Sequence, residues 1–204
     1  MTNIITSYVQ LKSIFLSLMI SDASEVASKL QLPEDLPIRT ENIKLASVNS
    51  LRVIPILGVG GVFDTTNWVY SYTHAGKLCY IIRKNPDWWR KADPKQYRPF
   101  AVQESALNTN RAYQLATNWL AGLSVDLPRL TKECHLSVKT TTILGMVIPE
   151  YSVIWSNGAD TIASVWFLEP GKQLWQIRVE DPSYLLRPSI SNGLTHRLAA
   201  DRGP

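Results

Sequence analysis

The residues whose types and spacing are best suited to recognition chemistry lie in one stretch, KNPDWWRKADPKQYRP, residues 84–99. Lys84, Arg90, Lys91, Lys95 and Arg98 stand there against Asp87 and Asp93, interleaved with Trp88, Trp89 and Tyr97. Cations set between aromatic rings can stack on bases, grip sugars or anchor a protein partner. Trp88, Trp89, Arg90, Lys91, Tyr97 and Arg98 are therefore the candidate binding residues. Pro86, Pro94 and Pro99 keep the stretch out of regular structure. A structural reading competes: the tryptophans cover a core edge between two halves of the chain while the charges face water.

Reaction chemistry has weaker support. General acid–base catalysis needs titratable groups that converge, and Glu150, Glu169, Glu180 and Asp181, with His74 or His135, are the side chains that would have to do so. Each carboxylate stands at an expected strand end or turn, where such groups are ordinarily solvated. The serines show no Gly-x-Ser-x-Gly elbow, and neither Cys79 nor Cys134 has an activating context. The glycines of GVGG, residues 58–61, are not followed by Gly-Lys-Ser/Thr or by a helix start, so they read as a strand connection and not a phosphate cradle. Two cysteines without Cys-x-x-Cys spacing, and His74, His135 and His196 far apart, argue against tetrahedral zinc. No catalytic residue, metal site or cofactor is expected.

The elements that must position these residues follow from periodicity. With 204 residues, 45% of them hydrophobic, the chain can bury a core, and Lys plus Arg exceed Asp plus Glu by 21 − 17 = 4, too small a balance to demand an anionic partner. Near the amino terminus SIFLSLMI precedes Ser21 and Ala23, a spacing that signal peptidase accepts, with cleavage after Ala23. The alternative is an apolar helix over 8–20 packed on the core; the first reading makes the protein exported, the second cytoplasmic. An apolar run of eight residues cannot span a bilayer. Asp22, three residues before Glu25, has capping-box spacing for a short helix ending before Pro33. Extended segments follow, then Trp68, Tyr70 and Tyr72 alternate in a strand, and HAG turns the chain into Leu78–Arg83.

Asn108 or Thr109 caps a helix in which Ala112, Leu115, Ala116, Trp119, Leu120 and Leu123 recur at three- and four-residue steps. After a short helical stretch ending near Cys134 come LSVKTTTI, YSVIW, the Asn157-Gly158 turn, TIASVWFL, the Pro170-Gly171 turn and QLWQIRV. Trp166 and Trp175, on adjacent strands, then make a cross-strand core contact, with a ligand platform as the alternative reading, and the long helix lies on alternate residues of the last three strands. Cys79 and Cys134 form a disulfide if the protein is exported, or remain separate thiols.

The two halves echo one another. YTHAGKLCYI, beginning at Tyr72, resembles LEPGKQLWQI, beginning at Leu168, and a separation of 95 relates Tyr80 to Trp175, Ile82 to Ile177 and Arg83 to Arg178. Asp35-Leu36-Pro37 with Thr40 is echoed 91 residues later by Asp126-Leu127-Pro128 with Thr131. Matching element order over so long a period points to a duplicated helix-plus-strands unit; shared β-hairpin grammar is the alternative. The expected class is α+β, two similar units each a helix on an antiparallel sheet. The expected organisation is an apolar segment at 1–21, a first unit at 22–83, a basic and aromatic linker at 84–107, a second unit at 108–187 and a loose tail at 188–204.

TNWVYSYTHAGKLCYI, RAYQLATNWLAGLSVDLPRL and QLWQIRVEDPSYLLRP together resemble uncharacterised bacterial proteins whose tandem units are similar to PepSY-like and β-lactamase-inhibitor-like repeats, over most of residues 22–190. The resemblance implies a non-enzymatic, often exported binding or inhibitory module, with a protein or peptide partner, and it carries no catalytic or ligand residue. Two alternatives stand beside it: an enzyme whose site is assembled from distant positions, and a nucleic-acid or carbohydrate binder working through residues 84–99.

Overall fold

A computed structural model describes residues 2–32, 34, 36–48, 59–84, 108–142, 149–168 and 173–190. They form three α-helices and eight antiparallel strands, an α+β fold. In chain order these are α1 (Thr2–Lys29), β1 (Leu45–Val48), β2 (Val59–Asp64), β3 (Trp68–Thr73), β4 (Leu78–Arg83), α2 (Thr109–Gly122), α3 (Leu127–Glu133), β5 (His135–Thr142), β6 (Pro149–Asn157), β7 (Asp160–Leu168) and β8 (Gln173–Val179). The hydrogen-bonded order in the sheet is β1-β2-β3-β4-β8-β7-β6-β5. Packing divides the chain into two units, one reaching Cys79 and resuming at Arg187, the other Tyr80–Leu186. No helix among the described residues is long and apolar enough to cross a membrane.

In the first unit α1 is one continuous helix, where the sequence reads as a break between an apolar segment and a capped second helix. Residues 2–29 hold neither proline nor glycine, and Met19, Ala23, Val26, Ala27 and Leu30 form a buried stripe at helical spacing. Ser24 is absorbed by bonding its hydroxyl back to the Ile20 carbonyl at 2.8 Å. Asp22 is not a cap. Its carboxylate accepts from the Tyr72 hydroxyl at 3.0 Å and pairs with Arg187 at 2.5 Å. The helix stops where Gln31 takes a left-handed backbone, φ 53°.

Trp68, Tyr70 and Tyr72 are fully buried, as their alternation predicts, and Phe63 stacks on Tyr70 with ring centroids 5.0 Å apart. The Tyr72 hydroxyl also donates to the Met19 carbonyl at 2.8 Å, which fixes the strand to the helix. Gly60 and Gly61 are not a connection; they lie inside β2. Gly60 is the extra residue of a β-bulge, and a Cβ there would come within 2.4 Å of the Thr73 carbonyl oxygen. A Cβ at Gly61 would meet the Met19 sulfur at 2.8 Å. The glycines are needed for close approach.

The second unit is built around α2. Asn108 caps it, accepting from the Arg111 amide at 2.9 Å. Ala112, Ala116, Leu120 and Leu123 are fully buried, Trp119 meets Phe167 at 5.3 Å between centroids, and Tyr113 meets Trp155 at 6.2 Å. Asp126 caps α3, accepting from the Arg129 amide at 3.1 Å. Gly158, at φ 60°, makes the β6–β7 turn where Asn157-Gly158 predicts it. One core row crosses five strands, Ile81–Ile177–Val165–Val153–Val138. Fully burying an aliphatic side chain of this size contributes about 1.5–3 kcal/mol.

Two expectations about β8 fail for one reason. The β7–β8 ladder pairs Trp166 with Gln176 and Phe167 with Leu174, leaving Trp175 as an extra residue. That bulge inverts the alternation, so Ile177 is fully buried opposite Ile81 while Ile82, its expected equivalent, is half-buried opposite Gln176. The same bulge removes Trp175 from direct pairing with Trp166, and both indoles are half-buried, outside the core.

Candidate binding surface

The sheet face of the second unit that points away from α2 gathers the most recognition-competent side chains among the described residues. Directly paired strand residues share a face. Alternating with the core row, one outer row therefore reads Tyr80–Arg178–Ser164–Ile154–Ser137, and the next Ile82–Gln176–Trp166–Ser152–Lys139. Five strands span about 19 Å at the usual inter-strand spacing. Tyr80, Ile82, Ile154, Trp166, Gln176 and Arg178 are half-buried, and Lys139 is exposed. Ser152 and Ser164 are only 6% and 4% exposed, small residues set low between larger neighbours. The large side chains thus stand above a floor of serines.

Charge on this face is held in place. Arg178 pairs with Glu180 at 2.7 Å, its guanidinium lies 5.0 Å from the Tyr80 ring centroid, and the Tyr80 hydroxyl donates to the other Glu180 oxygen. Arg178 Nε is buried with no hydrogen-bond partner. A guanidinium fixed over a phenol beside an indole offers planar, oriented contacts with little conformational entropy left to lose.

The remaining polar clusters act as structural ties. Glu34 accepts from Thr65 Oγ1 at 2.7 Å and from the Tyr70 hydroxyl at 3.0 Å. Burial, and then the Glu34 carboxylate, push the Tyr70 phenol far above its usual range, so it keeps its proton. A depression of 400 Å³ beside Glu34 is lined also by Leu36, Pro37, Arg39, Glu41 and Asn42. In the second unit Tyr184 donates to Glu133 at 2.7 Å and Arg129 lies 4.0 Å over its ring. That hydrogen bond, with burial second, raises the Tyr184 phenol, while the same bond, helped by Arg129, holds Glu133 below the usual carboxylate range. Cys134 Sγ reaches the Tyr184 hydroxyl only at 3.9 Å, and a phenol that keeps its proton is no base for it. Cys79 donates to the Ser71 carbonyl at 3.3 Å; neither cysteine is in a disulfide.

The candidates for acid–base work in the second unit are dispersed. Glu150 pairs with Leu168 and the Glu180 amide bonds Ile162 at 2.8 Å, so the two carboxylates stand at opposite ends of β7, about 20 Å apart at strand rise. His135 is exposed on β5, three strands from Glu180, about 14 Å away. Among the described residues no group of three or more His, Cys, Asp or Glu is placed to hold a metal ion. Trp88, Trp89, Arg90, Lys91, Tyr97 and Arg98 lie outside the described residues, as do Glu169, His196 and the Pro170-Gly171 turn. The sequence does not show that Tyr80, Trp166 and Arg178 share one face, because strand register, not local composition, brings them together; the alternation of TIASVWFL and QLWQIRV is its only sign.

No protein-family model matches the chain, no curated protein matches it, and no solved structure matches its fold.

Proposed function

We propose that the chain is a non-enzymatic binding module that holds a protein or peptide partner on the outer sheet face of the second unit. The observation that carries the reading is the set Tyr80, Ile82, Ile154, Trp166 and Arg178, half-buried side chains on four strands of the second unit, on the face that points away from α2. Interfaces concentrate their energy in aromatic and arginine side chains on a rigid support. The dispersal of Glu150, Glu180 and His135 favours binding over catalysis. Residues 84–99, an aromatic and basic stretch of the sequence, belong to the same proposal as a second candidate.

The proposal includes an origin by duplication. Among the described residues each half runs helix, short helical turn and four strands in sequence, with Thr40–Asn42 as a 3-10 turn in the first place and α3 in the second. This order is the one expected for tandem units of the PepSY-like or β-lactamase-inhibitor-like kind, which would act by capture and not by reaction. The test is affinity capture from the native source with the intact chain and with Ile154→Glu/Trp166→Glu. A partner retained by the first and lost by the second, with unchanged circular dichroism, supports the reading. A partner set lost only when Trp88 and Trp89 become alanine moves the site to residues 84–99, and turnover of a substrate by the chain removes the proposal.

A further inference from the structure

We propose that the outer edge of β5 is a second docking site, one that takes an extended peptide strand carrying a carboxylate opposite Lys139. The strand pairs with β6 along its whole length, His135 with Ser156 through Thr142 with Pro149, without a bulge. In the sheet order it is terminal, and among the described residues it has β6 as its one hydrogen-bonded neighbour. An antiparallel edge of this length points about half of its amides and carbonyls away from the sheet, a template for one more strand. The opposite edge, β1, has four residues.

The side chains select the occupant. His135–Thr142 contains no proline or glycine and no acidic residue, and Lys139 and His135 are exposed, with Lys132 exposed just before them. A second copy of β5 fits poorly. Antiparallel self-pairing centred on Val138 sets Lys139 opposite Ser137 and diagonal to the other Lys139; moving the register by one pair sets Lys139 directly against Lys139. Like charges opposed across a ladder are destabilising, whereas a carboxylate opposite a lysine is favourable. The lysine that blocks self-association therefore chooses an acidic strand. Lys139 ends one row of the outer sheet face, but this site is read by the β5 backbone edge, whereas the proposed function rests on Tyr80, Ile82, Ile154, Trp166 and Arg178, so the two are tested separately.

The test uses the full chain and fluorescein-labelled strand peptides of the form Ser-Thr-Val-Thr-X-Thr-Val-Thr-Ser, with X glutamate or lysine, followed by anisotropy at low salt. The glutamate peptide is expected to bind at least about fivefold tighter than the lysine peptide. Lys139→Glu should reverse that ranking, N-methylation of alternate peptide amides should abolish binding, and Trp166→Ala should leave it unchanged. Sedimentation should show no self-association through β5 in the wild type, with self-association appearing in Lys139→Val. Absence of binding, equal affinity for the two peptides, an unaltered ranking in Lys139→Glu, loss in Trp166→Ala, or wild-type self-association that Lys139→Glu removes would each overturn the proposal.

Discussion

Asp22→Asn separates two accounts of one residue by magnitude. If Asp22 were the helix cap that its spacing to Glu25 implies, asparagine would serve nearly as well and the change would cost a few tenths of a kcal/mol. In the structure the residue lies in mid-helix, 14% exposed, 2.5 Å from an Arg187 side chain that is 10% exposed. Removing one partner of a buried ion pair costs about 3–5 kcal/mol, because the other charge is left desolvated. Two features reduce that here: Glu25 stays 3.4 Å from Arg187, and asparagine can still accept from Tyr72. The expected loss is therefore about 2–3 kcal/mol, a fall in urea midpoint of roughly 1 M. Arg187→Met should cost at least as much, and the double variant Asp22→Asn/Arg187→Met less than the two singles summed, since the second change removes the charge that the first stranded. A midpoint within about 0.2 M of wild type for Asp22→Asn, with an unchanged slope, would refute the buried-pair reasoning.

Four other outcomes follow from the same geometry. Gly60→Ala should destabilise by about 3 kcal/mol or more, because its Cβ meets the Thr73 backbone, whereas Gly61→Ala should cost about 1–2 kcal/mol and be relieved by Met19→Ala; equal penalties in thermal melts would contradict this. Asn108→Ala should lose about 1 kcal/mol and Asn108→Asp very little, read by chemical denaturation. Glu25 is held below its usual value by its hydrogen bond to Lys29 and then by the Arg187 charge, so its contribution is present above the unfolded carboxylate value and lost as pH falls through the folded one; Glu25→Gln should flatten the acid limb of the stability curve, and an identical limb would count against the pairing. A chain beginning at Ser24 lacks Met19, Asp22 and Ala23, all packed in the first unit, and should lose the cooperative unfolding of that unit while the second keeps its own.

Much of the fold could be read from periodicity where one element alone decides the outcome. The stripe from Ala112 to Leu123, the Trp68-Tyr70-Tyr72 alternation and the Asn157-Gly158 turn each carry their pattern within a few residues, and each lies where that pattern places it. What failed depended on distant partners. Asp22 looks like a cap until Tyr72 and Arg187, 50 and 165 residues away, claim its carboxylate. Gly60 and Gly61 look like a loop until β3 and Met19 press against them. A one-residue bulge at Trp175 reverses which of Ile82 and Ile177 is buried, and nothing local marks it. The outer face is legible only as a register, since each row takes one residue from each of five strands.

Hydroxyl-radical footprinting tests the central claim most directly, with oxidation of Tyr80 and Trp166 followed in the free chain and in its complex with a captured partner. Their half-buried rings should oxidise readily in the free chain and be protected several-fold in the complex, while Trp155, on the sealed face, stays unreactive in both. Unchanged rates at Tyr80 and Trp166 in a complex that is fully formed would contradict the account.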